Sequence, residues 1–240
     1  MRLFVALYPP PDVVTHIGAY VDRLRVGRAT ADGVNVRLAS ADNLHVTLAF
    51  LGDVDEGRLP DVRAALDRAA PGWRTPSRRR GARRPDRSDR WRHPPEPVPE
   101  PDLLAPESDL AVGPVPPGGV AAVAGGPVAR LRLAGGGRFG RGRFTVLWAG
   151  LDGDVDALYL VSGAVRSELR RSRLPYDRRL LRPHLTLARP GERLPRAAVD
   201  ADLADLAEYV GPWWPLAEMV LMASHLGPRP TYDRLGSWPL

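Results

Sequence analysis

Two stretches decide the fold: His45-Val46-Thr47-Leu48-Ala49-Phe50 and, in the second half of the chain, His184-Leu185-Thr186-Leu187-Ala188-Arg189. Both alternate polar and apolar residues, which is typical of a half-buried β-strand whose successive side chains point to opposite faces. Strict alternation puts His45 and Thr47 on one face and Phe50, with the aliphatic residues, on the other. The sequence therefore predicts two strands that each bury an apolar face and present one imidazole and one hydroxyl.

The duplication of the motif argues against chance. The chain has five histidines and seven threonines. With that composition, two His-x-Thr-Leu matches arise by accident in about one sequence in ten thousand. A single copy would be interpreted as a hydrogen-bonded histidine on a half-buried strand. Two copies in equivalent contexts indicate a paired site.

Two imidazoles that face one cleft suit the hydrolysis of a phosphodiester without a metal ion. The pKa of an unperturbed histidine is about 6.5, so one ring can accept a proton from water while the other donates a proton to the departing oxygen. The hydroxyls of Thr47 and Thr186 can donate hydrogen bonds to the non-bridging phosphate oxygens and stabilise charge in the transition state. The chemistry alone does not assign acid and base between His45 and His184.

The elements around the motifs follow from hydrophobic periodicity. Helices are predicted at residues 11–24, 58–69, 155–171 and 197–210. Strands are predicted at residues 3–8, 34–38, 44–52, 130–133, 143–151, 182–189 and 218–226, with a glycine turn at 135–137. Each half runs strand, helix, then motif strand. This order predicts an α+β fold of two related lobes, not a doubly wound sheet.

A change of composition separates the halves at residues 71–128. This segment holds 13 prolines, and nine arginines lie within residues 74–92. It cannot bury enough apolar surface to offset its ordering entropy, so we expect a disordered or extended low-complexity insert. Two origins are open: a genuine insert that acts as an RNA-attracting arm, or a stretch translated in the wrong reading frame. Residues 1–70 and 129–240 are then a single domain.

The composition excludes several kinds of chemistry. Without cysteine the chain has no disulfide, thiol nucleophile or cysteine-ligated zinc, and without lysine it has no Schiff-base or Walker-type lysine. All 34 basic residues are arginine, and the net charge of +6 is compatible with an anionic partner. No stretch reaches the roughly 18 apolar residues of a membrane helix. The N-terminus lacks the features of a signal peptide, so we expect a cytoplasmic protein without membrane association.

The two His-x-Thr-Leu tetrapeptides resemble the signature of the two-histidine (2H) phosphoesterases. Their context is similar to the bacterial and archaeal RNA 2′,3′-cyclic phosphodiesterases, also called the 2′-5′ RNA ligase family. Supporting matches lie at residues 2–7, 45–52, 146–150, 182–189 and 232–240. The resemblance covers roughly residues 1–70 and 129–240. It implies a bilobal fold in which two pseudo-symmetric lobes with antiparallel sheets flank a central cleft and carry helices outside.

The same resemblance implies an activity and roles for the motif residues. The implied reaction is hydrolysis of RNA 2′,3′-cyclic phosphodiester ends to 2′-phosphomonoesters, with reversible 2′-5′ RNA ligation as its counterpart. By resemblance, His45 is the proton donor, His184 is the proton acceptor, and Thr47 and Thr186 bind phosphate. The expected partner is RNA with a 2′,3′-cyclic phosphate end, tRNA fragments included. We expect a monomer that needs no cofactor and no metal.

Further candidates surround the motifs. Arg189 could contact phosphate or ribose, but strict alternation turns it away from His184, so only strand-end twist or a bulge would bring it to the cleft. Phe50, Trp148 and Tyr8 could stack on a nucleobase, although core packing is the simpler interpretation for each.

The remaining histidines carry no predicted role in catalysis. His16 lies within the first helix and is interpreted as structural or exposed, and His93 falls within the insert. His225 has no carboxylate at ligand spacing that would make a zinc site with the motif histidines.

Two other functions are open. The first is a 2H phosphodiesterase that acts on another cyclic nucleotide. The second is a non-catalytic RNA-binding protein in which the histidines are structural. The binding protein would lose RNA affinity when residues 71–127 are deleted and would tolerate His45→Ala.

Overall fold

The computed structural model describes residues 1–74, 128–225, 227 and 230–240. Five helices are found in these ranges: α1 (Pro11–Val21), α2 (Arg25–Ala31), α3 (Leu59–Gly72), α4 (Val155–Arg171) and α5 (Arg196–Ala207). The strands there are β1 (Arg2–Leu7), β2 (Val46–Asp53), β3 (Arg130–Phe139), β4 (Val146–Gly153), β5 (Leu185–Ala188), β6 (Val210–Pro215), β7 (Glu218–His225) and β8 (Thr231–Pro239). The predicted insert lies outside the described residues except for 71–74 and 128.

Two antiparallel four-stranded sheets carry the two motifs. Their strand orders are β2-β1-β7-β8 and β5-β4-β3-β6. The motif strands β2 and β5 are each an edge strand, and they approach one another where the sheets adjoin. The predicted α+β fold with two related lobes is confirmed. None of the helices described is long and apolar enough to cross a membrane.

Helices from both halves of the chain pack at each sheet. Helices α3 and α4 pack together on the first sheet, against β8 and β2, whereas α1 contacts β6 of the second sheet and α2 contacts α5. Asp202 of α5 is fully buried, and its carboxylate accepts the backbone N–H groups of Arg25 and Val26 at the start of α2. This contact satisfies two of the donors that a helix start leaves unpaired. Each half therefore completes the other.

Strand β2 contains a β-bulge within its motif. The pairing with β1 steps from Thr47, opposite Ala6, to Ala49, opposite Val5, so Leu48 is the extra residue. Phe50 is thereby returned to the face of Thr47. The prediction that Phe50 lies opposite His45 is wrong, because the bulge shifts the alternation by one residue.

Strand β5 contains the same bulge at the same motif position. Its pairing with β4 steps from Thr186, opposite Trp148, to Ala188, opposite Leu147, which makes Leu187 the extra residue. Leu187 and Ala188 are both buried although they are consecutive. The next residue, Arg189, lies just beyond the end of β5 and is half-buried.

The bulged residues receive their hydrogen bonds from the opposite half of the chain. Ser162 of α4 donates its hydroxyl to the carbonyl of Leu48 at 2.7 Å. The backbone N–H of Ala39 donates to the carbonyl of Leu187 at 2.9 Å. Because an edge strand has no neighbour on its outer side, these two donors replace a missing strand.

Two predicted elements are wrong. The predicted strand at 34–38 is reduced to an isolated bridge between Leu38 and Ala188, because Arg37 has a positive φ of 51° that interrupts an extended run. The predicted glycine turn is part of β3. A Cβ at Gly137 would lie 2.3 Å from the ring of Trp148, so this glycine provides room for the indole. Helix α2 and strands β6 and β8 had no prediction.

Removal of the Ser162 hydroxyl should weaken the fold at the first bulge. Ser162→Ala leaves the buried Leu48 carbonyl without its donor, so we expect the free energy of unfolding to fall by about 1–2 kcal/mol in urea denaturation followed by circular dichroism. Ser167→Ala on the same helix is the matched control, with a change within about 0.5 kcal/mol. Wild-type stability in Ser162→Ala would contradict this role.

Candidate active site

The two motif histidines are held in the same way. Nδ1 of His45 lies 2.8 Å from the carbonyl oxygen of Asn43, and Nδ1 of His184 lies 2.6 Å from that of Arg182. A carbonyl oxygen can only accept, so Nδ1 carries a proton in both rings. Nε2 is therefore the nitrogen of each ring that gains or loses a proton. The two imidazoles are thus equivalent in tautomer as well as in sequence.

Aromatic rings enclose His45. Its ring centroid lies 4.9 Å from that of Phe4, 5.6 Å from that of Tyr8 and 5.4 Å from that of Tyr232, which meets it edge-on. Phe4 and Tyr232 were not predicted as site residues. The alternation in β1 could have indicated Phe4, because it shares a face with Tyr8, whereas the contact of Tyr232 depends on sheet order.

His184 has a similar enclosure on the second sheet. The ring of Phe139 meets it edge-on at 4.8 Å, and the ring of Trp148 lies at 6.3 Å. Trp148 is buried across Gly137 and contacts Phe139 at 5.2 Å. Sequence reasoning favoured core packing for Trp148. The structure places Trp148 both in the core and next to the ring of His184.

The structure brings each motif threonine to the face of its histidine. Thr47 and Thr186 are half-buried on adjoining edge strands. Among the residues that the structure describes, neither hydroxyl has a hydrogen-bond partner. Both hydroxyls can therefore donate to an anion placed between the strands.

Tyr8 forms an uncharged wall of the site. Its hydroxyl is buried and finds no hydrogen-bond partner within the described ranges. Burial, and then the neighbouring Tyr232, raise the pKa of Tyr8 above its ordinary value, against a smaller opposing effect of Arg234. The phenol therefore keeps its proton at neutral pH and does not compete with the imidazoles as a base.

The other described histidines contact residues outside the two motifs. His16 Nδ1 is 2.9 Å from the hydroxyl of Tyr209, and His225 Nε2 is 2.8 Å from a carboxylate oxygen of Asp233. The contact of His16 is of the structural kind that the sequence indicated, and His225 had no predicted role. The described part of the chain has no group of three or more His, Cys, Asp or Glu residues that could hold a metal ion.

Part of the chain matches a family model and a curated relative. Residues 8–76 match the family model of the LigT-like phosphoesterases. The RNA 2′,3′-cyclic phosphodiesterase of Methanocaldococcus jannaschii is 31% identical over 62 residues, which are 26% of this chain and 32% of that protein. The matched stretch thus spans about a third of the curated relative.

Solved structures share the fold of this protein. TT0787 of Thermus thermophilus has a TM-score of 0.61 at 21% identity and covers 100% of this chain and 98% of its own. E. coli LigT complexed with ATP has a TM-score of 0.57 at 20% identity and covers 100% and 97%. The chain thus resembles the LigT-like phosphoesterases over residues 8–76 and shares the fold of these solved structures.

Proposed function

We propose that this protein hydrolyses RNA 2′,3′-cyclic phosphodiester ends to 2′-phosphomonoesters by general acid–base catalysis with two histidines. The observation that carries the proposal is the matched arrangement of His45 and His184. Each ring carries its proton on Nδ1 toward a carbonyl two residues earlier, and each is followed by a threonine on the same face. Such a pair can move one proton in and one proton out at a single phosphorus atom.

In this mechanism the phosphate binds between the motif strands. Thr47 and Thr186 donate hydrogen bonds to the non-bridging oxygens and stabilise the charge that grows on them. His184 Nε2 accepts a proton from water as its oxygen attacks phosphorus. His45 Nε2 donates a proton to the 3′-oxygen as the P–O3′ bond breaks, which leaves the phosphate on O2′. A 5′-hydroxyl in place of water would yield a 2′-5′ linkage.

The relatives support an RNA substrate. The matching protein of M. jannaschii is named for activity on RNA 2′,3′-cyclic phosphates, and a structure of E. coli LigT contains 3′-AMP. The aromatic enclosure of both histidines suits a nucleotide, because rings such as Phe4 and Phe139 can contact ribose and base. Arg189 is a candidate contact for phosphate or ribose, because it follows Thr186 by three residues at the end of β5. We place this activity in the cytoplasm and in a monomer.

The central test is turnover of a nucleoside 2′,3′-cyclic phosphate in EDTA. We expect the wild type to form the 2′-phosphate, and His45→Ala and His184→Ala each to lower kcat by about 10²- to 10⁴-fold. His225→Ala is the matched control, because that histidine contacts Asp233 away from the motifs, and it should keep wild-type turnover.

Three results would overturn the proposal: inactivation by EDTA, a 3′-phosphate product, or full activity in either motif variant. Thermal unfolding of each variant verifies that it is folded. A folded wild type without turnover would favour another cyclic nucleotide as substrate, or a binding role.

The dependence of kcat/KM on pH should assign the two roles. The wild type should show a bell-shaped profile, because the base must be unprotonated and the acid protonated. The residual activity of His184→Ala should lose the acidic limb, on which the base becomes protonated. That of His45→Ala should lose the alkaline limb, on which the acid loses its proton. An interchange of these limbs would reverse the assignment.

The threonines should matter for the transition state. Thr47→Val and Thr186→Val keep the shape of the side chain but remove the donor, so we expect kcat/KM to fall by about 10- to 100-fold for each. Thr15→Val, on the exposed side of α1, is the control. Unchanged kinetics in both motif variants would show that the phosphate is held elsewhere.

A further inference from the structure

Arg37 has a backbone conformation that its residue type disfavours. Its φ is 51°, in the left-handed region that costs free energy for any residue with a Cβ. The residues on either side are apolar: Val36 is fully buried, and Leu38 packs against the core. The left-handed turn lets both of these side chains pack inward and leaves Arg37 exposed between them.

The strained residue is fixed beside the second motif. The carbonyl of Arg37 accepts the backbone N–H of Arg189 at 3.1 Å, and its own N–H donates to Oδ1 of Asn35 at 3.2 Å. The next residue, Leu38, bridges Ala188. The backbone of Arg37 is therefore held beside the end of β5.

Two more arginines lie against the segment that follows Arg189. A Cβ on Gly191 would lie 3.4 Å from the carbonyl oxygen of Arg143 and 3.8 Å from Nη1 of Arg193, so the segment after Arg189 packs on the β3–β4 connection. Arg37, Arg143 and Arg193 are exposed, and their guanidinium groups form no ion pair with any described residue. We call these three arginines, together with Arg189, the arginine rim. Glu192, a carboxylate, lies next to Arg193 in the segment that follows Arg189.

We propose that the arginine rim, through Arg37, binds the RNA phosphodiester on the 5′ side of the nucleotide that bears the cyclic phosphate. The inference rests on the proposed function. Arg189 follows Thr186 by three residues, about 10 Å along a strand, so the rim is displaced from the phosphate that the threonines hold. A planar guanidinium matches two phosphate oxygens and is always charged, and such contacts bind any RNA sequence.

The test compares two substrates with the same 3′-nucleoside. One is the mononucleoside 2′,3′-cyclic phosphate and the other is a short oligoribonucleotide that ends in it; the readout is the ratio of their kcat/KM values. We expect the wild type to prefer the oligonucleotide and Arg37→Gly to reduce that preference about tenfold. The slope of log(kcat/KM) for the oligonucleotide against log[salt] should also become shallower, by the amount that corresponds to the loss of about one phosphate contact.

The glycine variant separates binding from backbone structure. Glycine adopts a φ of 51° without strain, so Arg37→Gly should keep or raise the thermal midpoint while it loses the guanidinium. Arg37→Lys keeps a charge without the fork and should restore part of the preference. Arg28→Gly, an exposed arginine on α2, is the matched control and should keep the wild-type ratio.

The outcomes separate the inference from the proposed function. If both substrates are hydrolysed and Arg37→Gly keeps the wild-type ratio and salt slope, Arg37 is only a turn residue and the inference is wrong. A wild type that hydrolyses both without preference also overturns it. If neither is hydrolysed, the proposed function fails. The arginine rim is then tested by the affinity for the same oligonucleotide with a 3′-phosphate, measured by fluorescence anisotropy. Equal affinity of wild type and Arg37→Gly would then overturn the rim.

Discussion

The hydrogen bonds to the bulges in the two motif strands are the constraint on which the site depends. Each strand lies at the edge of its sheet, so the carbonyl groups on its outer side have no neighbouring strand. Ser162 and the backbone of Ala39 supply the missing donors, to Leu48 and Leu187. Both donors come from the other half of the chain. The geometry that turns the motif side chains to the cleft therefore exists only when the two halves are packed together.

The packing of the helices also depends on contacts between the two halves of the chain. Helices α1 and α2 follow the first strand of the chain but pack with β6 and α5 of the second sheet. The buried carboxylate of Asp202 fixes this arrangement, because an unpaired buried carboxylate and two unpaired N–H groups would be costly. The two sheets are thereby packed so that the motif strands β2 and β5 adjoin.

The chemistry of the site follows from what surrounds each ring. The Nδ1 hydrogen bond sets the tautomer of each imidazole, and aromatic rings restrict its orientation. Next to His45, Tyr8 stays uncharged because burial raises its pKa. In the proposed mechanism the groups that transfer protons are thus the two Nε2 atoms.

Much of this protein could be predicted from its sequence because the signals are local. The paired motif, the alternation up to Thr47 and Thr186 and the longer amphipathic helices depend on residues a few positions apart, and the structure agrees with them. The Nδ1 acceptors also lie only two residues before each histidine. A close reading of the segment before each motif could have found them.

Tertiary structure alone decided the rest, because the determining contacts join distant residues. The extra residue in each motif strand is stabilised by donors from the other half, so the face of Phe50 could not follow from strict alternation. The glycines of β3 have the sequence pattern of a turn, yet Gly137 lies within the strand, where the absence of a Cβ leaves space for the indole of Trp148 on the neighbouring strand. The left-handed Arg37 next to Arg189 likewise depends on two apolar neighbours that pack into the shared core. Sequence by itself thus determined which side chains could perform the chemistry, and the packing of one half on the other decided which of them reach the cleft.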